Sequence, residues 1–156
     1  MRPTLALYYA TVTGNAESLA RQAETRALNE DWLPRLQNLS ELKPADLAGD
    51  RLALFIVSTW GDGEPPVDAA DFWSDLAQST PDLSGLHYAV LGLGDRDYAE
   101  FNAFARALDE RLATLGAHRL HERIEADAYF DDTYAEWESR VFPLLAAHRA
   151  VDALAR

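Results

Sequence analysis

The chain has 156 residues, 48% of them hydrophobic and 26% charged, values that suit one globular domain and exclude disordered and fibrous classes. A formal net charge of −12 disfavours nucleic acid and anionic membranes as partners, and the absence of cysteine excludes disulfides, thiolate catalysis, iron–sulfur clusters and cysteine-ligated zinc. No apolar run is long enough to span a membrane and no signal peptide is visible, so a single cytoplasmic, monomeric domain over residues 1–156 is expected.

Leu5 to Tyr9 is a short apolar run that stops at Ala10-Thr11, as a buried strand does. After Gly14, the residues Ala16, Leu19, Ala20, Ala23 and Ala27 recur at helical spacing, giving strand, tight loop and helix. Trp32 to Leu39 alternates weakly and is expected as a second strand, with Leu42 to Gly49 as connector. Arg51 to Ser58 carries Leu-Ala-Leu-Phe-Ile-Val, the most apolar stretch of the chain, and is expected as a central strand.

Ala69 to Ala77 follows as a short amphipathic helix, and Tyr88 to Leu93 as a fourth strand. A longer helix places Phe101, Phe104, Ala105, Leu108, Leu112 and Leu115 on one stripe and ends at Gly116, a suitable C-terminal glycine. His118 to Ile124 is expected as the fifth strand, and a last helix buries Tyr134, Trp137, Val141 and Leu144. Strands alternating with helices imply an α/β three-layer sandwich, a parallel sheet of five strands in the order 2-1-3-4-5 with helices on both faces. Ligands of such sheets bind beyond the carboxyl ends of the strands, which directs attention to the loops after strands one, three and four.

The first of these loops is Thr11-Val12-Thr13-Gly14-Asn15-Ala16-Glu17. Its hydroxyls, its glycine and the free N–H groups of the following helix make an anion site suited to a phosphate monoester without a basic side chain. An ordinary helix cap by Thr13 or Asn15 fits the same residues. The Gly-Lys-Ser/Thr of a nucleoside triphosphatase is missing here. The second loop sets Trp60 among Gly61, Asp62, Gly63 and Glu64, where an indole beside glycine backbone can wall a planar ring; a core tryptophan capping the sheet is the alternative. The third, Gly92-Leu93-Gly94-Asp95-Arg96-Asp97-Tyr98, offers a second aromatic one strand over. The four histidines are scattered with no metal-ligand spacing, and no metal or catalytic residue is expected.

Taken in order, these loops, with Ser58-Thr59-Trp60-Gly61-Asp62-Gly63-Glu64-Pro65-Pro66, Phe101-Asn102 and Leu115-Gly116-Ala117, resemble those of a flavodoxin. The likeness is greatest to the FMN-binding domain of cytochrome P450 reductase and of sulfite reductase flavoproteins, and it spans nearly the whole chain. The resemblance implies that Thr11, Val12, Thr13, Gly14, Asn15 and Ala16 hold the FMN phosphate. Ser58, Thr59, Trp60 and Gly61 would line one side of the isoalloxazine, and Tyr98 would stack on the other. Leu93, Gly94 and Asp95 would meet the polar edge of the ring, with Phe101 and Asn102 near the ring or ribityl chain and Asp127 beside it. The short span between His118 and the last helix matches the short-chain form, without the insertion that long-chain flavodoxins carry.

The implied function is electron carriage through a stabilised semiquinone. A separate flavin-containing NADPH reductase would be the donor, since the chain ends at Arg156 without FAD and NADPH modules. The acids Asp62, Glu64, Asp68, Asp71, Asp95, Asp97 and Glu100 would dock basic-surfaced redox acceptors. An accessory or regulatory FMN module of a biosynthetic pathway, and a weak quinone-reductase-type activity, remain as alternatives. A phosphoacceptor signalling domain needs an acidic pair after strand one, an aspartate after strand three and a lysine after strand five. The chain has Ala10-Thr11, Val57-Ser58 and no lysine after Lys43.

Overall fold

In the computed structural model, residues 2–60, 63–94 and 102–154 are described. The elements are β1 (Thr4–Ala10), α1 (Asn15–Asn29), β2 (Leu33–Asn38), β3 (Leu52–Ser58), α2 (Ala70–Gln78), β4 (His87–Leu93), α3 (Ala103–Thr114), β5 (His118–Arg119), β6 (Ile124–Ala126) and α4 (Asp131–Leu154). The strands pair in parallel in the order β2-β1-β3-β4-β5, as the sequence predicts, with β6 also on β4. Every residue of β3 is buried, which its unbroken apolar run requires of a strand covered on both faces. The edge strand β2 buries none of its residues completely, in keeping with its weak alternation.

Two apolar layers sandwich the sheet. One packs Leu19, Ala20 and Ala23 of α1 and Trp137, Val141, Phe142 and Leu145 of α4 against Leu5, Leu7, Leu54, Ile56 and Leu91. The other packs Phe72 and Leu76 of α2 and Phe104, Leu108 and Leu112 of α3 against Tyr8, Phe55, Val57, Tyr88 and Val90. Within this second layer Tyr8, Phe55 and Tyr88 form an aromatic row across three strands, with ring centroids 5.3 and 6.3 Å apart. Each end of the row is closed by a buried aspartate. Tyr8 donates to Asp50, which also accepts from Arg35, and Tyr88 donates to Asp109 at 2.6 Å. Burial and these carboxylates push both phenols well above their ordinary value.

The fifth strand differs from expectation. It is not continuous from His118 to Ile124 but divides into β5 and β6, with Leu120–Arg123 out of line. Arg119 lies opposite Tyr88 and Ile124 opposite Leu91, so five residue steps on this strand face three on β4, a surplus of two that must bulge. The bulge is bridged from α3: Asp109 accepts from Arg119 Nε at 2.8 Å and from Arg123 Nη1 at 2.6 Å. A second correction concerns α4, where Leu144 is 37% exposed while Phe142 and Leu145 are buried. With a 3.6-residue period, Leu145 continues the Tyr134, Trp137, Val141 stripe and Leu144 falls off its edge. At the end of α3, Gly116 has φ of 101° and terminates the helix as expected, its N–H bonding Ala113.

Three of the scattered histidines meet in space. The His87 ring stacks on His118 at 4.9 Å and lies 4.3 Å from His148, at the amino ends of β4 and β5. Among the described residues no group of side chains has the arrangement of a metal site, and no helix is long and apolar enough to cross a membrane.

Candidate functional site

The parallel register brings the carboxyl ends of the strands into one row. Ala10 pairs with Val57, Ser58 with Leu93, and Leu93 with Ala126. The chain therefore leaves the sheet at Thr11, Thr59, Gly94 and Asp127 along a single edge, which gathers the described members of the predicted residues from four separate segments.

At the β1 end, the segment from Thr11 to Asn15 is exposed apart from the half-buried Thr11. Gly14 has φ of 91°, a conformation that a residue with Cβ adopts at a cost, and its N–H donates to Thr11 Oγ1 at 2.9 Å. The first bond within the helix is Ser18 N–H to the Gly14 carbonyl at 3.0 Å. No side chain caps α1, so neither Thr13 nor Asn15 plays the helix-cap role that fitted the same residues. The first-turn N–H groups face outward at the positive end of the helix dipole, and they suit a phosphate dianion.

At the β3 end, Thr59 N–H donates to the Leu93 carbonyl at 3.1 Å, and its Oγ1 accepts from Phe104 N–H at 3.1 Å. The second loop is thereby tied to β4 and to the start of α3. Trp60 is no core tryptophan: it is 48% exposed, and its backbone forms a tight antiparallel bridge with Glu64. Trp60 N–H donates to the Glu64 carbonyl at 2.7 Å and Glu64 N–H returns to Trp60 at 2.9 Å, across a turn in which Gly63 has φ of 105°.

Between these two segments lies an open cleft of about 250 Å³ lined by Thr11, Val12, Trp60, Val67 and Asp68. Val67, 77% exposed, was not singled out from the sequence and extends the apolar wall beside Trp60. Its position directly after Pro65-Pro66, where the chain cannot pair as a strand, was the available signal. The cleft has an apolar wall on the Trp60 side and, on the other, Thr11 and Val12 of the loop that leads into the uncapped start of α1, surfaces that fit a flat ring carrying a phosphate tail. Asp68, an exposed carboxylate, lines it, and the exposed Glu64 and Asp71 lie within a few residues in sequence.

Leu93 and Gly94 end β4, the former buried. Asn102 is fully buried, and its Nδ2 donates to the Ala126 carbonyl at 3.2 Å. Asp127 follows directly and accepts from Ala128 N–H at 2.7 Å, so it stands at the same edge. Gly61, Asp95, Tyr98 and Phe101 lie outside the described residues, as do Asp62, Asp97 and Glu100.

The sequence model of the flavodoxin family matches residues 7–137, a span that takes in every segment of this edge. The chain belongs to the flavodoxin family. The cofactor of this family is FMN. Among curated relatives, the chain is 36% identical to the sulfite reductase [NADPH] flavoprotein alpha-component of Klebsiella pneumoniae over 99% of its own length and 26% of the relative's. It is 32% identical to the NADPH–cytochrome P450 reductase of Oryctolagus cuniculus over 96% of its length and 23% of the relative's. The chain thus spans about a quarter of the length of the curated relatives it matches. Oxidised flavodoxin 1 of Bacillus cereus shares the fold, with a TM-score of 0.80 at 21% identity, covering 92% of this chain and 97% of that one.

Proposed function

We propose that this chain binds FMN at the carboxyl edge of its sheet and carries electrons one at a time between an NADPH-dependent flavin reductase and basic-surfaced acceptor proteins. The observation that carries the proposal is the single cleft joining the Thr11–Val12 segment to Trp60. In it the uncapped N-terminus of α1, with Thr11, Thr13, Gly14, Asn15 and Ala16, would hold the phosphate. Ser58, Thr59 and Trp60, with Gly61, would line one ring face; Tyr98 would cover the other, and Leu93, Gly94, Asp95 and Asp127 would meet its polar rim.

Bound FMN would supply the redox chemistry, and the chain supplies orientation, exclusion of water and electrostatics. Asp68 in the cleft wall, with the exposed Glu64 and Asp71 nearby in sequence, would place negative potential beside the ring. They oppose build-up of negative charge there and favour uptake of one electron with a proton over two electrons without one. The same carboxylates would attract a basic partner, with rates that fall as salt rises. Two apolar layers share one sheet, which supports a single domain.

The test is titration of the purified protein with FMN and with riboflavin, followed by stepwise photoreduction. Tight FMN binding that quenches flavin fluorescence, much weaker riboflavin binding, and a half-reduced flavin with long-wavelength absorbance midway through reduction are expected. Failure to take up FMN would refute the site. Reduction straight to the two-electron form would refute one-electron carriage and leave FMN binding standing.

A further inference from the structure

The loop from Thr11 to Ala16 contains no basic residue, and the charge that follows it directly is negative. Glu17 stands in the first turn of α1, three residues beyond Gly14 at the cap position. A glutamate at that place usually turns back to the N–H of the cap residue, drawn by the positive end of the helix dipole. Here the Gly14 N–H goes to Thr11 Oγ1 at 2.9 Å instead. The Glu17 carboxylate points the other way along the helix, where one oxygen accepts from Arg21 Nη2 at 2.8 Å and from Arg21 Nε at 3.1 Å.

The pair lies near the carboxyl end of β1. The Tyr9 phenol, one residue before the end of that strand, is raised first by burial and next by the charge of Glu17, and Arg21 draws it back down. Glu41, three residues past the end of β2, raises it further. Two carboxylates and one guanidinium therefore act on the same corner of the sheet. The Glu17 and Arg21 side chains are 36% and 60% exposed, so as a pair four residues apart they add little to the stability of the helix. What the pair fixes is where the carboxylate sits. A phosphate monoester carries nearly two negative charges at neutral pH. A carboxylate released in the first turn would repel it and would compete for the same N–H groups.

We propose that Arg21 is a positioning residue of the phosphate site: it draws the Glu17 carboxylate away from the start of α1, keeps the first-turn N–H groups open to a phosphate monoester, and does not itself touch that ligand. The inference rests on the FMN site proposed above. It makes the preference for FMN over riboflavin depend on a side chain outside the binding loop.

The experiment measures FMN and riboflavin affinities by quenching of flavin fluorescence in the wild type, Arg21→Ala, Arg21→Lys, Glu17→Gln, and the double variant carrying Arg21→Ala and Glu17→Gln. In Arg21→Ala the FMN affinity is expected to fall about three- to tenfold, the equivalent of one helix-capping interaction, with riboflavin unchanged. Arg21→Lys, which keeps an ion pair with Glu17, should restore most of the loss. The double variant decides how Arg21 acts. With no carboxylate left to restrain, it is expected to bind FMN within about twofold of Glu17→Gln alone. An undiminished loss in that background would mean that Arg21 attracts the phosphate directly, and would overturn the proposal. An FMN preference that Arg21→Ala leaves intact would overturn it too, as would a loss shared equally by riboflavin. Far-ultraviolet circular dichroism of the flavin-free chain checks the helix, and a loss of helix common to Arg21→Ala and the double variant would assign the pair to folding instead. A wild type that takes up FMN no better than riboflavin would refute the phosphate site and the role of Arg21 with it. A wild type and an Arg21→Ala variant with the same strong preference for FMN would refute the role of Arg21 alone.

Discussion

Replacing Asp109 with asparagine preserves the shape of a side chain that is 4% exposed but removes the negative charge that Arg119 and Arg123 share. Asparagine can still accept from Tyr88 through one oxygen, while its NH₂ would face an arginine donor where the carboxylate accepted one. Removing one partner of a buried ion pair costs about 3–5 kcal/mol. Arg119 is more exposed than Arg123 and can turn to water, so a loss nearer 2–3 kcal/mol is expected, roughly the contribution of a single well-buried pair after screening. At about 2–4 °C per kcal/mol for a domain of this size, the melting temperature should fall by roughly 5–10 °C. Thermal and urea unfolding followed by far-ultraviolet circular dichroism measure this directly. Amide exchange should also accelerate at Leu120, whose N–H reaches the Tyr88 carbonyl at 2.7 Å beside the bulge. A variant within about 0.5 kcal/mol of the wild type, the range of ordinary surface substitutions, would refute the reasoning and show that apolar packing alone holds the bulge.

Gly92→Ala should cost about 1–3 kcal/mol, because the new methyl would lie 2.6 Å from the Ala105 Cβ on α3 as well as against Asn102; the urea midpoint reports it. Gly14→Ala has open space for its methyl but the wrong backbone sign, so it should lower stability by about 1–2 kcal/mol and weaken FMN more than riboflavin in a binding titration. The phenols of Tyr8 and Tyr88, and of Tyr134 through burial and Glu138, are raised in the folded chain. A raised folded pKa means that their contribution is complete below the ordinary value of about 10 and is lost as pH climbs above it. Their phenolate absorbance should therefore develop together with unfolding at alkaline pH; full ionisation of all six tyrosines in a folded protein would contradict this. Asp68→Lys, in the wall of the cleft, should slow electron transfer to a basic acceptor and flatten its salt dependence in stopped-flow experiments.

Much of the fold is legible where one local rule governs. The unbroken apolar run of β3, the helical stripe of α1 and the glycine at 116 each announce their element, because burial on both faces, periodicity and positive φ act within a few residues. The division of the fifth strand is hidden, since the surplus of two residues is stabilised by Asp109, which arrives from another element. Asn102 illustrates a similar limit for the site: its place in the motif is visible, but its partner is a main-chain carbonyl 24 residues away, which carries no residue identity to read. Likewise Val67 becomes a wall of the cleft only when the turn at Pro65-Pro66 brings it beside Trp60. His87, His118 and His148, far apart in sequence, meet where β4 and β5 begin and α4 passes.

The uncapped start of α1 separates two kinds of evolutionary freedom. Its donors are peptide groups, which every substitution except proline retains, so the donors of the proposed anion site would be insulated from exchange of the side chains around it. A chain carrying a net charge of −12 could then redistribute its surface carboxylates without altering the proposed phosphate-binding backbone. What selection must guard there is the shape of the backbone, concentrated in the left-handed turn at Gly14.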